Sequence, residues 1–242
     1  MRPDIVDLQE FYASPLGHVA RRMIRRRVRR MWPSLAGLRV LGFGYATPFV
    51  KQYVPEAERV VAVMPALQGV AYWPREGANV VALAEETDLP LPDAMFDRVV
   101  LVHAIEATDA LRPMLREIWR VLAPGGRVLV VAPNRRGLWA RVESTPFAHG
   151  RPYSQGQLTR LLRDNLFSPI QWQSALFVPP TRWGVMLRAA ATIERLGQRW
   201  FGPVAGVVMI EAMKQIYAAT PPRVEAGRAR ARPIAVPEGN RG

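Results

Sequence analysis

The chain is 242 residues long and 49% hydrophobic, with a net charge of +13 at pH 7 and a pI of about 11.2. That length suits one domain with extensions and a substantial core, and the apolar share is ordinary for a globular protein. Cysteine is absent, which excludes disulfides, zinc–thiolate clusters and thiol chemistry; the opening residues MRPDIVDLQEFY hold no signal-peptide core, and no apolar run approaches membrane-spanning length.

Residues 4–32 read as helical. Pro15 stands near the start of a helix that continues through RRMIRRRVRRMW, with seven arginines between Arg21 and Arg30. Ala20, Ile24, Val28 and Met31 form an apolar stripe at helical spacing. The arginines fit two readings: a solvated face, as charge runs usually are, or a patch for RNA, anionic lipid or an anionic substrate. Only Lys51 and Lys214 are lysines. An arginine bias favours phosphate or carboxylate contact and is equally what a GC-rich coding bias produces. Pro33 closes the helix. Apolar runs at Leu38 to Phe43, Arg59 to Met64, Ala78 to Leu83 and Asp97 to His103 then read as four buried strands, with irregular chain at 65–77 and a loop at 84–96.

Leu111, Leu115, Ile118 and Leu122 make the apolar stripe of the next helix. Pro124 stops it, Gly125-Gly126 turns the chain, and RVLVVA from Arg127 to Ala132 is a fifth buried strand. Ser154 with Gln157 forms a capping box for a helix to about Leu166. Two late strands, Gln171 to Val178 and Gly206 to Ile216, bracket a helix from Arg182 to Trp200. From Thr220 the chain is rich in Pro, Gly and Arg, without periodicity, and reads as a disordered tail. Strands alternating with helices argue for an α/β doubly wound, mostly parallel sheet with helices on both faces. The expected division is a helical extension at 1–34, the sheet domain at 35–219 and the tail at 220–242.

In such a sheet ligands bind beyond the carboxyl ends of the strands, near the point where strand order reverses. That rule selects Gly42 to Pro48, Met64 to Leu67, Glu85 to Leu89 and His103 to Glu106.

The stretch L-R-E-I-x-R-V-L-x-P-G-G, from Leu115 to Gly126, followed by an apolar strand, resembles the region before and within the fifth strand of class I S-adenosylmethionine-dependent methyltransferases of the type 11 group. The similarity runs from Leu38 to Pro133. It implies a seven-stranded sheet, S-adenosylmethionine as cofactor, and methyl transfer to a small-molecule acceptor. VLGFGYATP stands where the family has V-L-D-h-G-x-G-x-G: Gly42 replaces the acid, Gly44 is the retained first glycine, and Ala46 and Pro48 replace the second and third. Met64 stands where an acid takes the ribose hydroxyls, with Gln68 as a substitute from the next turn. Glu85 falls on the acid that receives the adenine amino group. Glu86 lies beside it, and Leu89-Pro90 follows. His103 closes the fourth strand facing donor or acceptor and is the expected base, and Glu106 matches a family acid. His149, Arg151 and Tyr153 are candidates for an acceptor pocket. The other reading is a non-catalytic methyltransferase-like interaction protein, associated with nucleic acid through the arginine helix and supported by the acids lost at Gly42 and Met64. A cytoplasmic location is expected, and no metal.

Overall fold

The computed structural model describes residues 3–74, 76–181, 183–200 and 204–216; the expected tail from Thr220 lies outside them. The apolar runs become seven strands: β1 (Arg39–Gly44), β2 (Arg59–Pro65), β3 (Val81–Ala84), β4 (Phe96–Val102), β5 (Leu122–Pro133), β6 (Phe167–Ala175) and β7 (Val207–Lys214). They form one sheet in the order β3-β2-β1-β4-β5-β7-β6. The first five run parallel, and β7 runs opposite to both neighbours. Strand order reverses beside β1, so the carboxyl ends of β1 and β4 frame the ligand crevice of a doubly wound sheet.

Among the described residues six helices cover the two faces: α1 (Ile5–Ala13), α2 (Pro15–Met31), α3 (Thr47–Val50), α4 (Leu111–Val121), α5 (Gln155–Asp164) and α6 (Gly184–Trp200). One core cluster joins β1, β2 and β5 to α1, α2 and α3; the other packs the opposite face under α4 and α5. The expected stripe of α2 is buried at Ala20, Ile24, Val28 and Met31, while Arg22, Arg25 and Arg26 are exposed. Ser14 separates α1 from α2, because its hydroxyl accepts the Gly17 N–H at 3.0 Å and starts a new helix. The Ser154–Gln157 capping box forms as the sequence predicts.

Several boundaries differ from expectation; β3, expected from Ala78, starts at Val81. The strand expected at Arg127 starts at Leu122, so the Gly125-Gly126 turn becomes an irregularity inside β5, between the pairs Phe96–Leu122 and Arg98–Arg127. β6 begins at Phe167 rather than Gln171. It is an edge strand, which tolerates Pro169, and it ends before Leu176, whose φ is +66°.

The N-terminal helices are anchored through one buried carboxylate. Glu211, in β7, accepts hydrogen bonds from Trp32 Nε1 at 2.9 Å, Arg127 Nη1 at 3.0 Å and Gln171 Nε2 at 2.6 Å. Burial pushes its pKa up, but these three donors outweigh burial and hold it below the usual carboxylate range. A depressed folded-state pKa means that this stabilisation is complete above the unfolded pKa, about 4.3 for Glu. It is lost as pH falls through the lower folded value. Glu211→Gln is expected to cost about 1.5–3 kcal/mol at pH 7, the range for hydrogen bonds to a charged group. Urea unfolding between pH 7 and 3 should show a shallower acid slope for the variant than for wild type; parallel slopes would refute the assignment.

Candidate functional site

The glycine turn after β1 is tight for reasons internal to the sheet. Gly44 has φ +76°, and a Cβ there would lie 2.3 Å from the Val102 carbonyl oxygen. The turn crosses directly over the end of β4, and the Tyr45 N–H donates to the same oxygen at 2.8 Å. Gly42 faces α3: an added Cβ would meet Ala46 Cβ at 3.1 Å and Val50 Cγ2 at 3.3 Å. The position where the family carries an acid is therefore occupied by helix packing, and Ala46 is fully buried.

At the end of β2, Met64 is fully buried and its sulfur accepts the Ala71 N–H at 3.4 Å. The chain after β2 folds back over the place of the ribose acid. Gln68, in the turn Ala66–Gln68, is 2% exposed. Its Nε2 donates to the His103 carbonyl at 3.0 Å, and its Oε1 is buried without a hydrogen-bond partner among the described residues.

Beyond β3, Glu85 is exposed and bridges to Asp88, whereas Glu86 points inward and accepts the Thr108 hydroxyl. Leu89 is buried; its N–H donates to Glu117 Oε2 at 2.9 Å and its carbonyl accepts from Arg120. The Leu89-Pro90 loop is thereby tied to α4. Arg120 holds the Glu117 carboxyl below its usual range.

His103 has φ +52°, an uncommon backbone for a residue other than glycine, of the kind that collects at functional sites. It is 2% exposed, so it does not open directly onto solvent. Its Nε2 meets the Tyr12 hydroxyl at 2.8 Å, and its Nδ1 lies 3.3 Å from Glu106 Oε1. The Nδ1–Glu106 approach has the distance of an ion pair without the angle of a hydrogen bond. His103 Nδ1 and both Glu106 oxygens are thus buried without a hydrogen bond among the described residues. Burial, with the nearby Tyr45 and Glu106, pushes the Tyr12 phenol well above its ordinary pKa. Tyr12 therefore keeps its proton; in the tautomer where it donates to Nε2, His103 carries its own proton on Nδ1, toward Glu106.

Tyr12 arrives from α1, 91 positions away in sequence. Its ring stacks on Tyr45 with centroids 5.5 Å apart, and Phe147 lies 5.0 Å from the His103 ring. Ile5 packs close to Gly69, so α1 roofs the ends of β1, β2 and β4. Two clefts flank this roof. One, of 420 Å³, has Tyr12, Tyr45 and Trp73 in its wall; the other, of 400 Å³, has Leu67, Glu106 and Thr108. The run Tyr12–His103–Glu106 spans the wall between them. His149 engages the Glu143 carbonyl at 3.1 Å, in the loop rather than at His103. Tyr153 bonds the Ile105 carbonyl at 3.3 Å, and the Arg151 backbone N–H bonds the Glu106 carbonyl at 2.9 Å.

A seven-stranded sheet of this order with a glycine turn at β1 and polar side chains gathered at the β1–β4 ends defines a nucleotide-cofactor fold of the methyltransferase type. Comparison with known proteins agrees. A family model described as a methyltransferase domain matches residues 40–130. The chain is 30% identical over 209 residues to the ubiquinone/menaquinone biosynthesis C-methyltransferase of Rubrivivax gelatinosus, covering 83% of this chain and 79% of that protein. It is 28% identical over 223 residues to the demethylmenaquinone methyltransferase of Deinococcus radiodurans, covering 83% and 90%. Among solved structures, an S-adenosylmethionine-dependent methyltransferase of Thermotoga maritima superimposes with a TM-score of 0.59 at 18% identity, covering 86% of this chain and 94% of that one. The [4+2]-cyclase SpnF superimposes with a TM-score of 0.54 at 18% identity, covering 80% of each. These structural likenesses establish the fold. The chain belongs to the class I S-adenosylmethionine-dependent methyltransferase family.

Proposed function

We propose that this protein transfers a methyl group from S-adenosylmethionine to a small-molecule acceptor in the cytoplasm. The observation that carries the reading is the set of buried, unbonded acceptors at the strand ends, Gln68 Oε1 and both Glu106 oxygens, beside the Tyr12–His103 hydrogen bond. A buried acceptor without a donor costs about 1–3 kcal/mol, so the arrangement favours a ligand that brings donors. The ammonium, ribose hydroxyls and adenine amino group of S-adenosylmethionine are all donors. Gln68, a neutral amide, and Glu106 thus stand in only in part for the acids lost at Gly42 and Met64, and Glu85 or Glu86 serves the adenine end. The residues fit the cofactor in the chemistry of their acceptors.

When bound, the cofactor supplies a methyl carbon already activated by a sulfonium, so the chain's task is alignment and proton removal. An acceptor oxygen or nitrogen must shed its proton as it attacks. Tyr12 takes that proton as its own passes to His103 Nε2, and Glu106 stabilises the positive charge formed on the imidazole. His103 acts as base through Tyr12 rather than by direct contact.

Titration calorimetry with S-adenosylmethionine and S-adenosylhomocysteine tests the reading. Binding is expected, weakened by roughly tenfold or more, since each charged hydrogen bond lost with the ribose acid is worth about 1.5–3 kcal/mol. If folded protein binds neither at about 1 mM, methyl transfer is refuted and the non-catalytic reading replaces it. The exposed arginines of α2 would then carry the interaction, and nucleic-acid affinity falling steeply with salt would be its signature.

A further inference from the structure

The cleft of 420 Å³ beside the glycine turn carries cations and aromatic rings that the cofactor contacts proposed above, at Gln68, Glu106 and Glu85 or Glu86, do not use. α2 contributes Arg21 and the turn after α3 contributes Lys51. Tyr45 and Trp73 supply aromatic walls, and among the described residues no aspartate or glutamate lines it. The ion pairs among the described residues engage Arg29, Arg39, Arg120, Arg127 and Arg151, not Arg21 or Lys51. Trp73 is 9% and Tyr45 7% exposed, so their rings are held by packing rather than loose in solvent. The exposed Arg22, Arg25 and Arg26 continue the positive field outward along α2 and would draw anions toward the cleft mouth.

Two cations without carboxylate partners specify an anion. A guanidinium pairs a carboxylate bidentately and an ammonium adds a point charge. Fixed aromatic walls specify a planar ring stacked between or against them. The volume falls in the range of small-ligand sites, about 300–1,000 Å³. Tyr12 belongs both to this cleft and to the hydrogen bond with His103.

We propose that this cleft binds a small aromatic carboxylate, with Arg21 and Lys51 on the carboxylate and Tyr45 and Trp73 against the ring, and that this ligand is the methyl acceptor. The second half rests on the methyl-transfer reading; the binding site itself does not. The ring places a hydroxyl or amine substituent near Tyr12, the one cleft residue joined to His103.

The experiment is calorimetry of the full chain at low salt with benzoate, cyclohexanecarboxylate, benzyl alcohol and inorganic phosphate, each also run against Arg21→Gln, Lys51→Gln and, as a remote control, Arg112→Gln. Thermal melts verify that each variant is folded. Benzoate is expected to bind at least tenfold tighter than benzyl alcohol and severalfold tighter than cyclohexanecarboxylate. Arg21→Gln and Lys51→Gln should each weaken benzoate about tenfold or more, and Arg112→Gln should leave it unchanged. Benzyl alcohol binding as well as benzoate, full benzoate affinity in both cleft variants, or no benzoate binding at about 10 mM overturns the site. Phosphate binding more tightly than benzoate overturns the aromatic class. S-adenosylhomocysteine is titrated alongside. Benzoate binding without it keeps the anion site and refutes the acceptor role, whereas its binding without benzoate refutes the site and leaves methyl transfer standing.

Discussion

Gly44→Ala is expected to lower stability by about 2–3 kcal/mol, and Gly44→Val to prevent folding to the native sheet. Two costs add. A left-handed backbone penalises a side-chain-bearing residue by roughly 1–2 kcal/mol, and Gly44 has φ +76°. The new Cβ would also sit 2.3 Å from the Val102 carbonyl oxygen, so the turn must lift and lose the Tyr45 N–H bond to that oxygen, worth about 1 kcal/mol. Gly125 isolates the first cost. Its φ is +72°, yet nothing lies within 4 Å of its Cβ position. Gly125→Ala should cost only the backbone penalty. At about 2–4 °C per kcal/mol for a domain of this size, thermal melts should separate the two variants by several degrees. Equal shifts would mean that the turn relaxes and that the contact with β4 does not constrain it.

A glycine after a buried strand is legible as a place of close approach, but the sequence does not say what approaches. The structure gives β4 as the partner. Gly42 and Met64 are similar: their departure from the family's acids is visible in the letters, while the reason is not. Gly42 leaves room for α3, and Met64 is sealed by the chain at Ala71. Period and punctuation carried the sheet, because buried parallel strands are continuous apolar runs and Pro, Gly and Ser mark their ends. Strands lengthened where pairing outweighed local signals, as at Leu122, drawn into β5 by Phe96, and at Phe167, paired with Lys214.

The polar site was half legible. His103 and Glu106 stand at the end of a strand, and the crevice rule finds them. Gln68 is visible only as a neighbour of Met64. Tyr12 gives no local signal, since an aromatic residue in an amphipathic helix ordinarily fills core. Its part depends on α1 folding back over the strand ends, a contact spanning 91 positions. Arg21 and Lys51 were readable as charge, but their convergence on one cleft follows from the packing of α2 beside α3.

Tyr12→Phe is expected to be the most informative substitution for catalysis. It removes one oxygen from a residue that is 3% exposed and keeps the ring stacked on Tyr45, so the fold should lose about 1–3 kcal/mol, the cost of leaving His103 Nε2 without its partner. If the acceptor's proton leaves through Tyr12 to His103, the variant loses general-base assistance, typically 10²–10⁴-fold in the chemical step. Binding of S-adenosylhomocysteine should stay nearly unchanged, because the phenol donates to His103 and the acceptors that suit the cofactor lie on Gln68 and Glu106. His103→Asn should show the same split between turnover and binding, with a larger stability cost, because it also removes the imidazole Nδ1 that faces Glu106 at 3.3 Å. The measurement is single-turnover transfer of labelled methyl to those hydroxylated or aminated benzoates that bind the cleft, with affinity taken from calorimetry on the same samples. A variant with unchanged single-turnover rate, or one whose activity falls only as far as its melting temperature predicts, would assign Tyr12 to packing and leave His103 without a route to the acceptor.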